Sequence, residues 1–67
     1  MSAVHDYATG ERLDGVPSAR LVVESAKTAT GTVTAYLDAG TWHWLDDSRA
    51  DDYRRMGMTV RTVYVET

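Results

Sequence analysis

The chain contains no cysteine. That excludes a disulfide, and any thiolate-held zinc, as a staple for the fold. It also lacks phenylalanine, isoleucine, asparagine and glutamine, and Lys27 is the one lysine beside Arg12, Arg20, Arg49, Arg54, Arg55 and Arg61. Codon use in a high-GC genome produces that bias. It points to a high-GC bacterium, or to a phage or other mobile element living in one, and says nothing about mechanism. No run approaches the ~20 apolar residues needed to span a bilayer. Met1–Gly10 shows no basic stretch followed by an apolar one, so no secretory signal is read there. The expectation is a cytoplasmic protein without a membrane partner. There is no glycine-rich phosphate loop, nucleophile elbow, H-E-x-x-H or calcium-loop pattern.

What is there is small. At 67 residues the chain fits one domain, and one core of that size supplies roughly 3–5 kcal/mol of net stability. Val, Leu, Ala, Met, two Trp and four Tyr provide the apolar material. That fills one thin core and leaves little for an enclosed pocket, which disfavours a private active site. The formal net charge of -3 has the wrong sign for a typical DNA binder and is too weak for an acidic DNA mimic.

Residues 1–15 carry little periodicity, because His5, Asp6, Gly10, Glu11, Arg12, Asp14 and Gly15 interrupt it. They read as a flexible N-terminal arm, with a single domain over 16–67. Residues 17–28 read as a helix, with Pro17 in its first turn and Leu21, Val22, Ser25, Ala26 and Ala29 on one face. A strand is the rival reading, since Leu21-Val22-Val23 has strand character. Residues 32–37 and 41–46 alternate as a β-hairpin about a three-residue turn, Asp38-Ala39-Gly40, with Gly40 able to take a positive φ as a bulge. In that hairpin Trp42 and Trp44 share a face opposite His43 and Leu45.

Residues 48–56 predict a second helix. Ser48 is its expected cap, Asp51 and Asp52 lie in the first turn, and Arg54 and Arg55 lie in the last. Ala50, Tyr53 and Met56 form its apolar stripe, and Gly57 stands where a helix-ending glycine belongs. The last strand, 58–65, is apolar on both faces. Such a strand is central or covered at an interface, and in so short a chain the second option points to a homo-oligomer. The expected fold is therefore α+β, a three-stranded sheet (hairpin plus C-terminal strand) with two short helices in the order α-β-β-α-β.

Several groups of residues could carry function. Trp42, Trp44 and Tyr36 can build a core, anchor a protein interface or stack on bases. Arg49, Arg54, Arg55 and Arg61 could meet phosphates or an acidic partner, or simply pair with Asp51 and Asp52. Asp46, Asp47, Asp51 and Asp52 lie near His43, but their spacing matches no established metal loop. The reading is a non-catalytic interaction or regulatory module that binds another protein, with Trp42, Trp44, Tyr64 and Arg61 as contacts. The alternative is a nucleic-acid-binding accessory protein, using Arg49, Arg54, Arg55 and Arg61 against phosphates and sheet aromatics against bases. An enzyme using His43 with Asp46 or Asp47 at a subunit junction is a distant third. No catalytic residue, cofactor or metal is assigned.

Overall fold

The structure, a computed structural model, describes residues 2–67. Six strands pair into one sheet: β1 (Ala3–Asp6), β2 (Arg12–Leu13), β3 (Val16–Pro17), β4 (Thr32–Asp38), β5 (Thr41–Trp44) and β6 (Thr59–Glu66). The order across the sheet is β2-β1-β6-β4-β5-β3. Every pairing is antiparallel except β3 with β5. Helix α1 (Ala19–Lys27) packs on β4, β5 and β6. A 3-10 turn (Asp47–Arg49) leads into α2 (Ala50–Arg55).

This corrects the expected three-stranded sheet: the mixed α+β class stands, but the sheet has six strands and is curled into a half-barrel. The residues expected as a flexible arm supply β1 and β2. Strands of two to four residues are too short for periodicity to show. Their order comes from β6, which pairs with β1 from Ala3↔Glu66 to Asp6↔Val63. β6 therefore lies between β1 and β4. Its two apolar faces belong to a central strand and need no second copy of the chain to cover them.

The curl follows from connectivity. β2 and β3 stand at opposite edges of the sheet, yet only Asp14 and Gly15 separate them in sequence. Two residues reach roughly 10 Å at full extension, so the two edges must approach each other. β1 and β3 do touch across the closure. Trp42 fills the seam: its Nε1 donates to the Asp14 carbonyl at 2.7 Å. Inside, Val4, Leu21, Val33, Ala35, Trp42 and Val63 form the buried cluster, with Leu13, Leu37, Trp44 and Val65 packed against it. Each fully buried Leu or Val contributes about 1.5–3 kcal/mol relative to exposure.

Helix α1 lies within the predicted 17–28, and Leu21 and Ser25 face inward as its spacing requires. Its start differs. Pro17 belongs to β3, and Ser18 is the cap, its Oγ accepting from the Leu21 amide at 3.1 Å. Asp46 rather than Ser48 caps the 3-10 turn: Asp46 Oδ1 accepts from both the amide and the hydroxyl of Ser48. Ala50 is buried and Tyr53 half-buried, but Met56 is 70% exposed, because α2 ends before its stripe reaches the sheet again. Gly57, at φ 88°, ends the helix as expected.

The β4–β5 turn has two residues rather than the expected three, since Asp38 pairs with Thr41 and no bulge forms at Gly40. Ala39 (φ 50°) and Gly40 (φ 77°) both take positive φ, the conformation of a type I′ turn. Alanine is strained there, whereas asparagine tolerates it. Ala39→Asn should stabilise the fold by about 1 kcal/mol, read as a rise of roughly 4–8 °C in Tm. An unchanged Tm would show that this turn carries no such strain.

Candidate functional site

Strand alternation sorts the aromatic residues onto two sides. Ala35 pairs with Trp44 and Leu37 with Trp42, so both tryptophans share the inner face with the core. Tyr36 and His43, Tyr64 and His5, and Thr32 and Tyr64 are cross-strand partners on the outer face. Tyr7 continues that face beyond β1, its amide donating to the Thr62 carbonyl at 2.9 Å. Tyr53 reaches the same face from α2, with its ring centroid 4.9 Å from that of Tyr36. All four tyrosines and both histidines thus lie on the outer side of the sheet.

One half of this face is covered. His43 stacks on Tyr36 (centroids 5.1 Å apart), Tyr53 closes over Tyr36, and the Thr34 hydroxyl donates to Asp47. Leu45 and Ala50 are buried on this side, outside the main cluster. The other half has no helix over it, although His5 and Tyr64 at its centre are half-buried. His5 and Tyr64 stack in parallel, 5.0 Å between centroids and 9° between planes. His5 Nδ1 donates to the Gly10 carbonyl at 3.2 Å, and Nε2 lies 3.8 Å from Glu66. Thr62 is exposed although it lies in a central strand, and Tyr7 is 60% exposed. Neither helix covers this patch of Tyr64, His5, Tyr7, Thr62 and Thr32.

The four expected contact residues do not form one surface. Trp42 is 2% exposed and belongs to the core, so it meets no partner while the fold is closed. Trp44 is half-buried on the inner side, with the Arg20 guanidinium 4.5 Å from its ring centroid. Arg61 is also on the inner side, opposite Ala35, and its Nη1 donates to Asp6 Oδ2 at 2.7 Å. Tyr64 alone of the four stands on the open outer face.

The arginines are likewise dispersed. Arg54 pairs with Asp51 at 3.3 Å and Arg55 with Asp52 at 3.1 Å, both along α2. These exposed pairs add little stability but offset the local charge. Arg49 makes no ion pair among the described residues. The acidic run is split in the same way, with Asp46 turned to Ser48, Asp47 to Thr34, and Asp51 and Asp52 to their arginines. No carboxylate orients His43 for proton transfer, and no three metal-ligating side chains converge among the described residues.

His5, Tyr7, Thr62 and Thr32 are the site residues that sequence reasoning passed over. The one available signal was the alternation of His5 and Tyr7 about Asp6.

Asp6 anchors the open face from beneath. It is 7% exposed and accepts from the Ala8 amide at 2.8 Å as well as from Arg61. The Ala8 bond first, and then Arg61, hold its carboxyl below the usual aspartate range, while burial acts in the opposite direction. A depressed folded value means that the stabilisation is complete above the unfolded value of roughly 4. It is lost as pH falls through the folded value. Acid titration of stability should therefore show a loss below about pH 4. Asp6→Asn should flatten that part of the curve and lower stability at neutral pH. An identical acid limb in the variant would remove Asp6 from the account.

No family model, curated protein or solved structure matches this chain. Fold and site define it as a small α+β protein with a curled mixed sheet and a half-open aromatic outer face. No helix among the described residues is long and apolar enough to cross a membrane.

Proposed function

We propose that the protein is a non-catalytic docking module that binds another protein through the open half of the outer sheet face, with Tyr64 at its centre. The observation that carries this is the placement of Tyr64, His5, Tyr7 and Thr62 on a face that neither helix covers. Tyrosine offers large contact area at low conformational-entropy cost, with a hydroxyl for a partner's polar groups. Tyrosine is also enriched at the energetic centres of interfaces.

An aromatic sheet face could also stack unpaired bases. The arrangement favours protein over nucleic acid: Arg12 stands opposite His5 on this face, but Arg61 is on the inner face and Arg54 and Arg55 are engaged with aspartates, so the basic groups gather into no continuous patch beside the aromatics. The net charge of -3 weighs the same way.

The test is affinity capture from a high-GC bacterial lysate, with and without nuclease, using wild-type protein and Tyr64→Ala. A protein recovered in both nuclease conditions, and bound at least about tenfold more weakly by Tyr64→Ala, is the expected result. Recovery of nucleic acid, or of a partner lost on nuclease treatment, would overturn it. A partner held equally by both variants would do the same.

A further inference from the structure

We propose that the docked protein adds an extended segment as a strand to the uncovered half of β6, antiparallel to β6 and in line with β1. The source of the segment rests on the docking reading; the edge that accepts it is set by the sheet's own hydrogen bonds. β6 is eight residues long. β4 pairs with it from Thr59 to Tyr64, but β1 covers it only from Val63 to Glu66. The last bond on the β1 side runs from the Tyr7 amide to the Thr62 carbonyl. There the chain turns back toward β2, with the Gly10 amide donating to the Asp6 carbonyl. No strand stands beside Thr59, Val60 and Arg61 on that flank.

Successive residues of a strand direct their amide and carbonyl to opposite neighbours. The Thr62 carbonyl points to the β1 flank, so the amide and carbonyl of Val60 point there too. β4 gives the same parity: the Thr34 carbonyl accepts from Leu45 on the β5 side, so Ala35, opposite Arg61, faces β6. Neither main-chain group of Val60 has a hydrogen-bond partner on that flank among the described residues. Thr59, Arg61 and Thr62 are exposed, and Val60 is half-buried. Tyr53 of α2 sits over Tyr36, on the other flank of Val60.

The other edges are protected. β2 and β3 are two residues each and carry Arg12 and Pro17. Short strands, charge and proline discourage strand addition. The free run Thr59-Val60-Arg61-Thr62 has β-branched residues and no proline, and its one charge is turned inward to Asp6.

The register also selects the occupant. A second copy of β6 centred on Val60 would set its Met58 opposite Thr62, where Tyr7 stands, with α2 of the copy close behind. Centring on Arg61 would set two arginines opposite each other, which repels. A loop or chain end in extended form has no such flanks. Its residue opposite Val60 exchanges both main-chain bonds and places its side chain on the outer face, beside Val60 and Tyr7. The strand is thereby continuous with the docking face.

The edge can be tested without the natural partner. In the free ¹⁵N-labelled full chain, the Val60 amide should exchange with deuterium faster than those of Arg61 and Val63, which face β4. The acetylated peptide amide Thr-Val-Thr-Val-Thr should shift the Val60 and Thr62 amide signals saturably and slow Val60 exchange. The same peptide N-methylated at every residue should do neither. Val60→Pro removes an N–H that bonds nothing, so far-UV circular dichroism should be retained. Its peptide affinity, read at Thr62, should fall at least about tenfold.

No saturable shift, or an equal shift with the methylated peptide, would overturn the proposal. So would a Val60 amide as protected as Arg61 in the free chain; protection that falls on dilution would assign the edge to a second copy instead. Tyr64→Ala should leave the peptide response unchanged. Loss of lysate capture with that response intact would therefore defeat the docking reading alone, and capture without any peptide response would defeat the strand-accepting edge alone.

Discussion

Gly15→Ala should lower stability by about 3 kcal/mol in urea unfolding, close to the whole stability of a domain this small. Gly15 has φ +102°, a conformation that side chains rarely adopt. A Cβ built there lies 3.0 Å from the Gly40 carbonyl oxygen and 3.1 Å from Cδ1 and Nε1 of Trp42. Left-handed backbone costs about 1–2 kcal/mol for an L-residue. The remainder comes from pushing the edges apart where the Trp42–Asp14 hydrogen bond holds them. Gly10→Ala is the control: φ is +74°, but nothing lies within 4 Å of its Cβ. It should cost about 1 kcal/mol, from backbone strain alone. Equal costs for the two variants would show that the seam is not tightly closed.

Trp42→Ala should cost about 4 kcal/mol and leave most of the chain unfolded at 25 °C. Trp42 is the largest of the fully buried side chains, and it touches the seam as well as the core. Trp42→Phe keeps a ring but leaves the Asp14 carbonyl without its donor, at a cost of about 2 kcal/mol. Trp44→Ala should cost about 1–2 kcal/mol, because its indole is only half-buried and Arg20 covers part of it. Far-UV circular dichroism and urea midpoints decide the order. A Trp42→Ala chain as stable as Trp44→Ala would contradict the assignment of Trp42 to the core.

Local signals account for the elements that were legible in the sequence. Alternation in the hairpin places both tryptophans on one face, but it does not set the register, since the expected three-residue turn is in fact two residues long. α1 follows from the spacing of Leu21 and Ser25, and the end of α2 from Gly57. The pairing of Arg54 and Arg55 with Asp51 and Asp52 follows from helical spacing. The cap expected at Ser48 falls two positions earlier, at Asp46, since both are good capping residues and only the backbone path selects between them.

The docking face was mostly hidden, because its members come from both ends of the chain. His5 and Tyr64 are cross-strand neighbours only once β1 pairs with β6. Asp6 and Arg61 form their ion pair by the same event. The sequence by itself determined the mixed α+β class, one helix almost to its ends, and the shared face of Trp42 and Trp44. These depend on contacts within a few residues. Only the tertiary structure decided that the first seventeen residues build three strands, that β6 is central, and that the sheet curls until its edges meet. Those outcomes depend on ladder hydrogen bonds and core contacts between distant segments, and short strands carry no local periodicity to announce them.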